Sequence, residues 1–143
     1  MKWLAALMSC AMLSTPVLAR EITPAEERDS SYTASLPACE DPLVLYSVAN
    51  RFSRKEARFW NSPLEIVQFE GVRQEAWRPW GLDYIPRRFC TGTVLISDGS
   101  RHRIDFSIRK DLDFIGVSWG TEACVEGFDR NYAYAPQCKQ AQP

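Results

Sequence analysis

Apolar residues recur with a helical period once in this chain, between Asp41 and Asn61, and from Leu64 onward they fall into short runs rich in β-branched and aromatic side chains. Asp41 followed by Pro42 marks a helix start. The carboxylate can accept from an orphan backbone N–H, and proline at the first helical position gives up no needed donor. Leu45, Val48, Ala49, Phe52, Ala57, Phe59 and Trp60 then follow mostly at helical spacing, Ala57 fitting least well, up to the stop at Asn61, Ser62 and Pro63. The pattern predicts one helix over 42–60. The runs 64–69, 72–78, 87–97, 101–110 and 114–119 read as strands, punctuated by Gly71, Pro79, Gly81, Pro86 and Gly116. Asp98 and Gly99 give the strongest hairpin signal. A glycine bulge in that loop puts Val94 and Ile96 on one face with Ile104 and Phe106, whereas a two-residue turn misaligns them. Lys110 to Asp113 reads as the next turn, so three consecutive antiparallel strands are expected. A lone helix buries its apolar stripe only against the sheet, which predicts an α+β fold: one long N-terminal helix packed on a curled antiparallel sheet of about four or five strands.

The first nineteen residues carry one early charge, Lys2, an apolar stretch from Trp3 to Met12, and compact side chains at Val17 and Ala19. They read as a secretory signal peptide, 1–19, cleaved after Ala19 to leave Arg20 at the N-terminus and the protein periplasmic or secreted. Lipid attachment at Cys10, after Leu7, Met8 and Ser9, is the less favoured alternative, because the apolar region runs on past that cysteine. Beyond the leader no run of apolar residues is long enough to span a membrane. Residues 20–38, with Glu21, Glu26, Glu27 and Asp29, read as a loose arm, and 39–143 as a single domain.

Cleavage leaves Cys39, Cys90, Cys124 and Cys138, an even set that in an exported chain implies disulfides. Of the three possible pairings, Cys39 with Cys90 and Cys124 with Cys138 is favoured, the second closing a short local loop. A metal site is disfavoured by the wide cysteine spacing and the single histidine. The charge balance, 17 Lys plus Arg against 18 Asp plus Glu, calls for no nucleic-acid partner. The composition is that of a folded domain, which excludes wholesale disorder, coiled coil and collagen.

No known catalytic or cofactor motif is present. His102 sits between Arg101 and Arg103 without a nucleophile motif, and reads as an exposed strand histidine. Asp111 and Asp113 lie in an apparent turn, where aspartate is expected for backbone reasons. Two clusters stand out as binding candidates. In the first, Arg73, Trp77, Arg78, Trp80, Tyr84, Arg87 and Arg88 alternate cations with flat aromatic surfaces that suit sugars, bases, carboxylates or phosphates. Its bland reading is that the tryptophans fill the open end of the sheet under covering arginines. In the second, Arg51, Arg54, Lys55 and Arg58 share one helix face, read either as a solvated surface helped by Glu56 or as an anion-binding patch.

The element order resembles the cystatin or NTF2-like class, an analogy that carries many activities. Gln68, Phe69, Glu70 and Gly71 only approximate the first inhibitory hairpin of cystatins, and Pro79 with Trp80 comes too soon for the second, so protease inhibition is a minor reading. The run Ile85-Pro86-Arg87-Arg88-Phe89-Cys90, the turn Ser97-Asp98-Gly99 and the end from Asp129 to Cys138 resemble a family of short exported bacterial proteins without assigned activity. That resemblance implies a compact periplasmic domain with paired cysteines. Within it, Asp129 and Arg130 read as serving a helix face or turn, for instance as a mutual ion pair fixing the tail, or as part of a docking surface. Together these features predict a non-catalytic binding or interaction module of the cell envelope, taking a glycan or protein partner. The alternatives are a small carboxylate-dependent hydrolase of envelope polymers and an inhibitor of an envelope enzyme.

Overall fold

The protein was analysed as a computed structural model, which describes residues 36–78, 85–110 and 118–143. The stretch read as a signal peptide, most of the expected arm, Trp80, Tyr84, Asp111 and Asp113 lie outside the described residues.

The helix, α1, runs Pro42–Trp60. Asp41 Oδ1 accepts from the Leu43 N–H at 2.8 Å, and Pro42 opens the first turn. At the other end Asn61 adopts a left-handed conformation, φ 48°, and its backbone N–H donates to the Glu56 carbonyl, a common way to end a helix. Four strands follow: β1 Ile66–Arg78, β2 Arg87–Ile96, β3 Arg101–Lys110 and β4 Trp119–Val125. They form one antiparallel sheet in chain order.

The two runs expected over 64–78 are one strand. Gly71, at φ 58°, turns the backbone without ending the pairing, and the register shifts between Glu70 and Arg73. Gly92 stands opposite this bulge: a Cβ there would lie 3.2 Å from the Glu70 carbonyl oxygen and from Val72 Cγ2. The loop after β2 is of the glycine-bulge kind, with Gly99 at φ 87° and Leu95 paired to Arg101. Val94, Ile96, Ile104 and Phe106 accordingly share the buried inner face. The run expected over 114–119 falls largely outside the described residues, and the last strand begins only at Trp119.

The core lies between α1 and the inner face of the sheet, where Val44, Val48 and Phe52 meet Ile66, Val94, Ile96, Ile104, Phe106, Ile108 and Val125. The helical stripe is displaced from the expected one. Val44 is fully buried, whereas Ala57, Phe59 and Trp60 are exposed, because the last turn runs past the sheet. The arm also ends earlier than expected, since Leu36 is part of the core.

Disulfides join Cys39 to Cys90 and Cys124 to Cys138, the favoured pairing. Register places Cys90 on the inner face, opposite Phe106, and Cys124 on the outer face, opposite Asp105. The segment after β4 therefore passes from one face to the other. Phe128 packs edge-on against Phe52 beneath the helix, at 5.4 Å between centroids. Cys138 and Gln142 reach the outer face, where the Gln142 side chain donates to Asp105 Oδ2 at 3.1 Å.

Candidate functional site

The helix and the tail border a hollow. Ser47 Oγ and Thr121 Oγ1, 2.8 Å apart, hold the first half of α1 against β4. One turn further on a groove of about 780 Å³ opens between the helix, the end of β4 and the tail. Small-molecule sites commonly fall in the range of about 300–1,000 Å³. Arg51, Arg54, Lys55 and Arg58 all line it, an arc of about 100° on the helix at 100° per residue. Val48, Phe52, Ile66, Ile104, Val125 and Phe128 give it an apolar floor, and Asn131, Ala133 and Tyr134 belong to the tail wall.

The electrostatics of the groove are one-sided. Among the described residues no carboxylate lies within ion-pair distance of these four cations. Asp129, the acid in the lining, is committed to the tail: its oxygens accept from the Ala133 N–H at 3.0 Å and the Tyr134 N–H at 2.8 Å. Glu56, expected to help balance the basic face, instead points into the protein. It is fully buried, and its Oε2 accepts from Arg130 at 2.8 Å. Arg130 therefore pairs with Glu56 and not with its neighbour Asp129. Its guanidinium also lies 5.3 Å from the Trp60 ring and 5.4 Å from the Phe128 ring, which fixes the tail over the end of the helix. Burial, with the Glu122 carboxylate second, pushes the Tyr134 phenol above its usual value, against the pull of Arg51 and Arg109.

The aromatic and arginine stretch is spent largely on internal contacts. Trp77 packs against the core, and Arg88 stacks on its ring at 4.7 Å while donating to Gln74 Oε1 and to the Leu36 carbonyl. Arg78 and Arg87 lie 5.5 and 5.9 Å from the Phe89 ring. Arg73 is separate, lining a smaller hollow of about 380 Å³ at the β1 bulge with Glu70, Thr91 and Arg103. Arg103 is itself turned to Asp105, donating to Oδ1 from Nε at 3.1 Å and Nη2 at 2.9 Å. Asp105 also accepts from Thr91 Oγ1 at 2.8 Å, so this buried acid is fully occupied.

His102 is half-buried and not exposed as expected. Its ring meets Phe128 edge-on at 4.9 Å, and Nε2 bonds Ser100 Oγ at 2.9 Å. Among the described residues no group of three or more His, Cys, Asp or Glu side chains is placed to hold a metal, and no helix is long and apolar enough to cross a membrane.

Sequence reading found the cationic wall but not the opposite one. Phe128, Asn131 and Tyr134 reach the groove only because the Cys124–Cys138 bridge and the Glu56–Arg130 pair return the tail to the helix, and neither their spacing nor their chemistry signals this. No family model, curated protein or solved structure matches the chain.

Proposed function

We propose that this is a non-catalytic, exported binding module of the cell envelope, and that its ligand seat is the groove beside α1. The single observation that carries the reading is a hollow of ligand size walled by four cations that have no acid partner among the described residues. A carboxylate-dependent hydrolase draws no comparable support. Asp129 is bound to backbone N–H groups, and the buried acids Glu56 and Asp105 are each tied to an arginine. The two disulfides and the leader-like start of the chain support export.

Blocking the groove tests the reading. Ala133 is exposed and lines the groove, so Ala133→Trp fills it at little cost to the core. The chain from Arg20, with and without this substitution, is incubated with envelope extract and examined by native mass spectrometry. A bound species present on the wild type and missing from Ala133→Trp is the expected result. Equal capture by both, or capture by neither, removes the groove as the seat.

A further inference from the structure

The lining of the groove specifies a chemical class, and this step rests on the groove being the ligand seat. A helix whose cations merely solvate it spreads them over its outward face. Here Arg51, Arg54, Lys55 and Arg58 are confined to an arc of about 100°, and all four line the hollow. The only acid in α1, Glu56, is withdrawn into the protein. The flank therefore presents to the groove four cations that have no ion-pair partner among the described residues. Guanidinium groups bind carboxylate and phosphate through paired donors, and Arg51 and Arg58, two turns apart on that flank, can grip one head from both sides.

Charge alone does not describe the site, because the floor is hydrocarbon. Val48, Phe52, Ile104 and Phe128 offer no hydrogen bonds to a small inorganic ion, and the polar side chains Asp129, Asn131 and Tyr134 of the lining belong to the tail. The geometry points to an amphipathic oxyanion as the ligand: a carboxylate or phosphate head held by Arg51, Arg54, Lys55 and Arg58, with an aliphatic or aromatic body lying on Phe52 and Phe128. Head and body act together. The body displaces water from the floor, and the drier surroundings strengthen the attraction between head and arginines.

Calorimetric titration of the chain from Arg20 tests this with decyl phosphate, decanoate, 1-decanol and inorganic phosphate, each kept below its aggregation limit. The two decyl oxyanions are expected to bind at least ten-fold more tightly than 1-decanol or inorganic phosphate. Arg51→Gln/Arg58→Gln should weaken decyl phosphate at least ten-fold while leaving 1-decanol unchanged, and Arg101→Gln, away from the groove, should change neither. The preference between decanoate and decyl phosphate identifies the head. Circular dichroism of each variant reports that it is folded. If 1-decanol binds as well as the anions, or the double variant keeps its affinity, the oxyanion class is overturned while a groove that binds apolar ligands survives. If no probe binds but Ala133→Trp still abolishes capture from extract, the class alone falls. If capture is also insensitive to Ala133→Trp, both readings fall.

Discussion

Glu56 is almost wholly shielded from water, whereas Arg130 leaves a third of its side chain exposed, so the two halves of this ion pair are not equivalent. Removing the arginine strands a buried carboxylate whose second oxygen already has no partner among the described residues. Removing the carboxylate leaves a cation that still reaches solvent and two aromatic rings. Arg130→Ala is therefore expected to cost about 3 kcal/mol and Glu56→Gln about 1–2 kcal/mol, an order that urea denaturation reads directly. Tyr134 gives a pH signature. Its phenol is raised in the folded state, so its neutral form is the one the fold favours. That contribution is complete below the ordinary tyrosine value of about 10 and is lost as pH climbs through the higher folded value. Above pH 10 the urea midpoint of Tyr134→Phe should fall less steeply with pH than that of the wild type.

Each secondary element answers to a local signal except where two chain segments meet. Gly92 is such a meeting: nothing within β2 calls for glycine, but the bulge at Gly71 brings β1 close enough that a methyl group at position 92 meets the Glu70 carbonyl and Val72. Gly92→Ala should destabilise the protein by about 1–3 kcal/mol, measurable as a lowered urea midpoint with an unchanged denaturant slope. The same contrast separates what could be read in the sequence from what could not. The bounds of α1 followed from Asp41, Pro42 and Asn61, and the β2–β3 register from Gly99, because caps and turns act over a few residues. The basic flank followed from helical spacing alone. The stripe was misplaced, with Val44 buried and Phe59 exposed at 66%, because where a helix leaves its sheet depends on the sheet. Glu56 was assigned to the wrong side of the helix for a related reason. Its partner stands 74 residues away in sequence, and no local pattern points to it.

Taken whole, the molecule is a helix and sheet clasped at two places, and the clasps do different work. Cys39–Cys90 closes 51 residues of separation and ties the start of the fold to the inner face, while Cys124–Cys138 closes 14 and anchors the tail. On loop entropy the first contributes about 4 kcal/mol and the second about 3 kcal/mol. Cys39→Ala/Cys90→Ala should accordingly lower the urea midpoint more than Cys124→Ala/Cys138→Ala. Affinity for decyl phosphate should change in the opposite order, since only the second pair fastens a wall of the groove. The anchor of that wall is a disulfide, which forms and persists only under oxidising conditions. The cationic half of the groove lies on α1 and needs no such bond, so the two walls are secured by different chemistry. On the proposed binding role, redox state then decides whether the seat is whole: a reduced chain carries the four cations without a fastened wall opposite them.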